Sequence, residues 1–130
     1  MVDAHSDIPG LVEPSGPFSH VTVGTGTRVV SLAGQVALDE RGHVVGADDA
    51  ERQARQCLAN IDAALRHVGA SAADVVKVTV FLTDVGDRAA VADARREYFG
   101  AHAPAATLVE VSALAVPGCV VEIEATAVLP

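Results

Sequence analysis

The sequence is poor in aromatic side chains and in lysine. It contains three phenylalanines, one tyrosine and no tryptophan, and Lys77 is its only lysine. Because half of the 130 residues are nonetheless hydrophobic, we expect a core built from Val, Ala and Leu. The formal net charge of −8 at pH 7 disfavours a nucleic-acid partner, since a groove for phosphates requires clustered Lys and Arg.

Long hydrophobic runs and metal-ligand motifs are also lacking. No run approaches the roughly 18 apolar residues of a membrane helix, and the N-terminus has no basic segment followed by an apolar one. Cys57 and Cys119 have no metal-like spacing with the five histidines. We therefore expect a cytoplasmic protein without membrane contact, metal or disulfide, in which both thiols are buried.

Turn residues and hydrophobic periodicity predict a single domain over residues 14–130, after a flexible lead-in of residues 1–13. The predicted order is β-β-α-β-α-β-β, which is typical of an α+β fold. Residues 18–23 and 28–33 alternate in polarity around a Gly-rich turn, so they are predicted to form a hairpin. The last two strands are predicted over 107–111 and 121–128.

Two stretches have helical spacing. The first helix is predicted to begin near Asp48 or Asp49, since Asp48 and Glu51 form a plausible capping box, and to end at Gly69. The second is predicted to run from Asp87 to Gly100. The apolar stripe of the first helix consists of residues three and four apart: Ala54, Cys57, Leu58, Ile61, Leu65 and Val68.

Residues 75–82 are predicted as a central strand, because both of its faces are largely apolar. The alternation places on one face Val76, Val78, Val80 and Leu82. Two helices cover only one side of such a sheet, and the other side, which carries Phe81, is too apolar to remain in water. We therefore expect a closed homo-oligomer in which sheets pack against one another.

The final strand carries repeated carboxylates on one face, since Glu122 and Glu124 alternate with Val121, Ile123 and Ala125. Acidic side chains are mostly solvated, but such a face can also line a cleft in which a carboxylate takes part in chemistry. The pattern alone leaves both interpretations open.

Four segments, taken together, resemble the Rid family (YjgF/RidA, reactive intermediate deaminases). The match is collinear with the family pattern from about Pro14 to Val128. The four segments are GPFS at 16–19, SLAGQ at 31–35, VKVTVFL at 76–82, and VEV at 109–111 with EIEA at 122–125. The resemblance implies a chorismate-mutase-like fold, with two helices on one side of a mixed sheet. It also implies a homotrimer with small-molecule clefts at its subunit interfaces, and hydrolysis of enamines or imines without a cofactor.

By resemblance, Glu122 faces Phe18 and Leu108 and is a candidate for acid/base catalysis, although a structural carboxylate is an equally open interpretation. Thr107 is a candidate to position a water. His20 is a candidate general base or a surface histidine. The resemblance assigns the substrate-binding surface to Phe18, Ala33, Gly34, Gln35, Ala106 and Leu108.

The sequence departs from the family pattern in this surface. Ala106 occupies the position of the family's substrate-binding arginine, and Phe18 that of its tyrosine. No arginine lies in the matching run, and Arg88 and Arg28 are the nearest candidates to enter the cleft. Because a guanidinium is what grips a carboxylate in two places, we expect the substrate to lack a carboxylate.

Two function classes follow. The first is a divergent Rid-type deaminase or hydrolase for an enamine, imine or related molecule, with a role in a dedicated biosynthetic or catabolic pathway as one option. The second is a non-catalytic trimer that binds a small molecule or a protein. Ribonuclease activity, often attached to this family by name, is disfavoured by the net charge. Chorismate mutase chemistry requires several cations around a dicarboxylate, which Ala106 and Ala113 do not supply.

Overall fold

A computed structural model describes all 130 residues. The regular elements are, in order, β1 (Val2–His5), β2 (Val21–Gly24), β3 (Arg28–Val36), α1 (Ala50–His67), β4 (Val75–Leu82), α2 (Arg88–Phe99), β5 (Ala105–Glu110) and β6 (Val121–Leu129). The α+β class with two helices is confirmed. From β2 onward the order agrees with the predicted one, and β1 is an additional strand.

The main sheet has four strands in the order β3-β6-β4-β5. β6 runs antiparallel to β3 and to β4, whereas β4 and β5 are parallel and are joined by a crossover through α2. Alternate residues of β6 are buried from Val121 to Leu129, as the period of two predicts. Both helices lie against this side of the sheet, which leaves an outer face without a helix, on the side of Glu122 and Phe81.

The predicted hairpin of residues 18–23 and 28–33 is wrong. β2 pairs antiparallel with β1, with Val21 opposite His5, and β3 pairs with β6. The β1–β2 ribbon crosses the outer face at close range, because a Cβ added to Gly24 would lie 2.8 Å from Val76 Cγ1. A strand therefore forms within the lead-in, where the sequence analysis predicted none.

The bounds of β4 are those predicted, but the assignment of its faces is partly wrong. Val75 is buried together with Val78, Val80 and Leu82, whereas Val76 is only half-buried. The register between β4 and β6 shifts between Val75 and Lys77. An extra residue in a bulge reverses the alternation on one side of it, which is why strict alternation failed at this end.

Helix α1 begins at the second of the two predicted starts. The carboxylate of Asp49 accepts a hydrogen bond from Arg52 N at 3.0 Å, and Asp48 has a φ of 61°. Asp49 therefore caps the helix, and Asp48 sits in the turn before it. Gly69, with a φ of 82°, ends the helix as predicted, because glycine adopts this conformation at little cost.

The core lies between the helices and the sheet. The predicted stripe of α1 is buried apart from Val68, which is 43% exposed. Cys57 and Cys119 are both buried and unpaired, as predicted, and burial raises the pKa of the Cys57 thiol to about 12. Neither helix combines the length and the apolar character required to cross a bilayer.

The two helices are fastened to each other at the end of α2. Tyr98 Oη donates to Asp62 Oδ1 at 2.8 Å, and Arg55 of α1 pairs with Glu97 of α2. Burial, helped by the Asp62 carboxylate, raises the pKa of Tyr98. These contacts hold α2 against α1.

Gln53 is fully buried in α1 and ties the helix to two loops. Its Nε2 donates to Gly118 O at 2.9 Å and to Gly46 O at 3.2 Å, and its Oε1 accepts from Val120 N at 2.8 Å. A single side chain thus satisfies backbone groups on both sides of the helix start. Buried backbone groups left without partners are costly.

We expect Gln53→Leu to lower the free energy of unfolding by about 2 kcal/mol or more, because it leaves Gly118 O and Val120 N unpaired, whereas Gly46 O still accepts from Asp49 N. Gln56→Leu is the matched control, since Gln56 is half-buried and its carbonyl contact to Leu38 is long, at 3.5 Å. Urea denaturation of both variants measures the difference. Equal losses at the two positions would contradict the role given to Gln53.

Candidate functional site

A cavity of about 480 Å³ opens between α2, β5 and the segment that precedes β2. Three of the predicted substrate-binding residues, Phe18, Ala106 and Leu108, line it together. We call it the α2 cleft, defined by these three side chains and by Arg88, Arg95 and Arg96 of α2. Its volume suits a small molecule, because ligand pockets commonly occupy a few hundred Å³ or more.

Local structure explains why these residues meet. On β5, Ala106 lies opposite Val78 and Leu108 opposite Val80, so both point to the helix side of the sheet. Ser19 bridges to Ala105, and its N donates to the carbonyl of Pro104 at 3.2 Å. The Gly-Pro-Phe segment is thereby held against the beginning of β5, with Phe18 over the edge of the sheet.

Arginine residues line the α2 cleft. Arg88, one of the two candidates named from the sequence, lines the cleft, and so do Arg95 and Arg96. Arg28, the other candidate, lies at the exposed end of β3, where its Nε donates to Pro130 O at 3.4 Å. The guanidinium groups come from the helix opposite the strand on which the family pattern has its arginine.

Arg95 is buried, with only 4% of its surface exposed. Its Nη2 donates to Pro17 O at 3.3 Å, while its buried Nε has no acceptor in the chain. Burial, and to a lesser extent the charge of Arg96, lowers the pKa of Arg95 to about 10. The group still carries its proton at neutral pH, so the fold holds an uncompensated cation at the wall of the cleft.

The sequence contains a signal for Arg95 that the family pattern does not use. It lies four residues after Val91 and four before Phe99, and both of these are buried. Positions four apart share one helix face, so an arginine at this spacing interrupts an apolar stripe. A charged residue on a buried stripe is rare unless it is paired, which makes it a candidate functional residue.

The lining of the α2 cleft is positively charged in a chain that is negative overall. Arg96 is paired with Asp93 at 3.3 Å, which is the only carboxylate in the lining. Neither Arg88 nor Arg95 forms an ion pair within the chain. Two guanidinium groups therefore remain available to an anion.

Glu122 lies on the outer face, away from the α2 cleft. It is opposite Phe81 in β4, whereas Leu108 is opposite the inward-facing Val80. Within one chain, Glu122 therefore does not face Phe18 and Leu108. Its carboxylate covers Gly34, where an added Cβ would lie 2.3 Å from Oε2. The glycine is needed for this close approach.

The remaining predicted residues lie at three further places. Thr107 is exposed on the outer face, and its Oγ1 accepts from Lys77 Nζ at 2.9 Å. Ala33 and Gln35 line a shallow groove beside the end of α1, and Gln35 Nε2 donates to Ala33 O at 3.2 Å. Within one chain, these residues therefore lie apart from the α2 cleft.

His20 also lies outside the α2 cleft, in a groove between β2 and β4. Its Nε2 is 2.5 Å from Val12 O, and its ring meets that of Phe18 edge-on, with the centroids 5.9 Å apart. The histidine therefore contacts a residue of the cleft without lining it. No group of three His, Cys, Asp or Glu side chains is placed to hold a metal ion.

Comparison with known proteins identifies the family. The family model described as Endoribonuclease L-PSP matches residues 10–129. A crystal structure of a Rid-family protein from Yersinia pestis superposes with a TM-score of 0.88 and 37% identity, covering 98% of each chain. The chain belongs to the Rid family. Its chorismate-mutase-like fold follows, and the resemblance seen in the sequence is confirmed.

Curated relatives of this Rid protein include one with a named activity. A RutC family protein of Pyrococcus abyssi is 43% identical over 104 residues, which cover 78% of this chain and 79% of the relative. The goat protein named 2-iminobutanoate/2-iminopropanoate deaminase is 35% identical over 113 residues, covering 87% of this chain and 80% of the relative. Deaminases of 2-imino acids thus occur among the homologues.

We expect Arg95→Met to raise the free energy of unfolding by about 1 kcal/mol or more, because it removes a buried, unpaired charge while keeping an apolar stem of similar length. The matched control is Arg96→Met on the same helix, where the side chain is exposed and the change should stay within about 0.5 kcal/mol. Chemical denaturation measures both. A clear loss of stability in Arg95→Met would show that the guanidinium is a structural tie.

Proposed function

We propose that this Rid protein hydrolyses an imine or enamine in a site shared by two protomers of a homotrimer. The α2 cleft of one protomer supplies the binding surface, and the outer face of the next supplies Glu122. The observation that carries the proposal is the meeting of Phe18, Ala106 and Leu108, three positions assigned to the substrate by family resemblance, in one cavity with free guanidinium groups.

The proposed reaction needs an oriented water and a proton carrier. Water adds to the imine carbon, giving a carbinolamine, which then expels ammonia and leaves a ketone. Glu122 accepts a proton from the attacking water and returns it to the departing nitrogen. An arginine that holds the substrate fixes the imine carbon for attack. This sequence of steps uses no metal and no organic cofactor.

The proposed assembly follows from the separation of the two groups in one chain. Glu122 and the α2 cleft lie on opposite faces of the sheet, so a single protomer does not bring them together. The outer face also carries the half-buried Phe81 and the exposed Val109 and Val29. Closed cyclic packing of this face against the edge of another sheet buries these residues and completes the site.

The guanidinium groups of α2 change the proposed substrate class. The reason for expecting a substrate without a carboxylate was the missing arginine, and Arg88 and Arg95 remove that reason. An anionic imine or enamine fits the cleft better, in line with the 2-imino acids named for the goat relative. A polynucleotide remains disfavoured by the net charge of −8.

We expect Glu122→Gln to lower kcat for 2-iminopropanoate by about 100-fold or more, with little effect on KM, because the amide does not accept a proton. The imine is generated from alanine by an amino acid oxidase, and its decay is followed by competition with semicarbazide. Glu124→Gln is the matched control, since Glu124 lies two residues further along the same face and is exposed. No turnover by the wild type would favour a binding protein over an enzyme.

Light scattering tests the assembly independently of the chemistry. We expect a particle of three times the 13.3 kDa mass of one chain. Phe81→Asp places a charge in the proposed interface and should give monomers without activity. Val68→Asp, at an exposed position beside the helix layer, should leave the trimer intact. An active monomeric wild type would overturn the shared site.

A further inference from the structure

We propose that the α2 cleft binds a substrate with two separated carboxylates, of which Arg95 holds one and Arg88 the other. The ligand would be a dicarboxylic 2-imino acid. This inference rests on the proposed function and adds to it the substrate class and the residues that select it.

Arg95 is the anchor for the first carboxylate. Its bond from Nη2 to Pro17 O holds the guanidinium in place, and its buried Nε lacks an acceptor. A cation removed from water without a counter-charge is costly to the fold. A bound carboxylate supplies the missing negative charge and accepts the unused hydrogen bonds. Binding therefore offsets the free-energy cost of burying the unpaired guanidinium in the empty protein.

Ala106 makes room for this arrangement. Ala106 and Arg95 line the same cleft from facing elements, β5 and α2. A second guanidinium on β5 would crowd and repel the buried one. The anion-binding charge is therefore on the helix, and the strand contributes only a small apolar side chain.

A solely structural role explains Arg95 less well. Fastening the carbonyl of Pro17 requires one neutral donor, as Gln53 demonstrates in α1, where an amide bonds two carbonyls without burying a charge. Arg95 instead buries a charge and leaves Nε unused. Features that lower the stability of the fold and serve no structural purpose are typical of functional sites.

Arg88 supplies the second charge. It precedes Arg95 by seven residues, or two turns, so both lie on one stripe of α2, roughly 10 Å apart along the axis. The lining between them is small, with Ala89 and Ala92. Arg88 is the first residue of the helix, where the helix dipole also favours an anion, and no carboxylate of the chain pairs with it.

The two arginines leave the helix at points roughly 10 Å apart along its axis, which is wider than a single carboxylate. An acid with a carboxylate at each end spans the gap left between two long arginine side chains. Asp93 does not compete for this role, since it is paired with Arg96. The spacing therefore favours a linear dicarboxylate over a monocarboxylate such as 2-iminopropanoate.

Binding of stable ketone products tests the inference without relying on turnover. Calorimetric titration compares 2-oxoglutarate, a dicarboxylate, with pyruvate, a monocarboxylate, on the intact wild-type protein. We expect 2-oxoglutarate to bind about 10-fold or more tightly, since a second charge-assisted contact is worth that much. Equal affinities, or tighter binding of inorganic phosphate than of 2-oxoglutarate, would overturn the assignment.

Single substitutions test which arginine binds which carboxylate of the ligand. Arg95→Met should weaken both ligands by about 100-fold while the protein stays folded. Arg88→Ala should weaken 2-oxoglutarate about 10-fold more than it weakens pyruvate. Arg66→Ala is the control, because Arg66 is exposed on α1 and paired with Asp62, and it should change neither affinity.

A double variant tests whether Arg95→Met weakens binding through loss of the charge or through a change in the structure of the cleft. The double variant Arg95→Met with Ala106→Arg returns a guanidinium to the cleft from the strand, and it should recover pyruvate binding. Unchanged 2-oxoglutarate binding in Arg95→Met would overturn the inference. If 2-iminopropanoate is hydrolysed by the wild type but the dicarboxylate preference is absent, only this inference fails. If the ketones bind as expected and no imine is hydrolysed, only the proposed function fails.

Discussion

The site depends on one unfavourable interaction, the burial of the Arg95 guanidinium without a counter-charge. The side chain sits on the apolar stripe of α2, between Val91 and Phe99, and its Nε has no partner. The rest of the fold tolerates this because α2 is fastened to α1 by Tyr98 and Glu97. The helix therefore presents a fixed cation to the cleft, which is the kind of preorganised charge that a binding site requires.

The topology of the sheet keeps Glu122 and the α2 cleft apart within one protomer. β6 lies between β3 and β4, so its inward residues enter the core while its glutamates face outward. The α2 cleft is on the helix side of the same sheet, at the edge strand β5. A site that uses both the carboxylate and the guanidinium groups needs two copies of the chain, and this geometric constraint underlies the proposed trimer.

Much of the fold followed from local patterns in the sequence. The β4 strand, the stripe of α1 and the glycine that ends it came from periodicity and turn chemistry. The pairing of β2 with β1 and the bulge after Val75 did not, because both depend on contacts between residues distant in the chain. Alternation cannot detect one extra residue in a bulge.

The sequence predicted several lining residues of the cleft but not its positive charge. Family resemblance pointed to Phe18, Ala106 and Leu108, and these three meet in the cleft. It also pointed to the loss of an arginine at position 106, which by itself suggested an uncharged ligand. Arg95 is on another element, and only the packing of α2 against β5 shows that it lines the same cleft as Ala106. A search for charged residues on buried helix stripes would have found it.

A crystal structure of the protein with 2-oxoglutarate tests the central claim most directly. The account predicts one carboxylate of the ligand against Arg95, the other towards Arg88, and Glu122 of a neighbouring protomer beside the ketone carbon. A ligand bound elsewhere, or a cleft in which Arg95 is neutralised by a carboxylate from the neighbouring protomer, would contradict it.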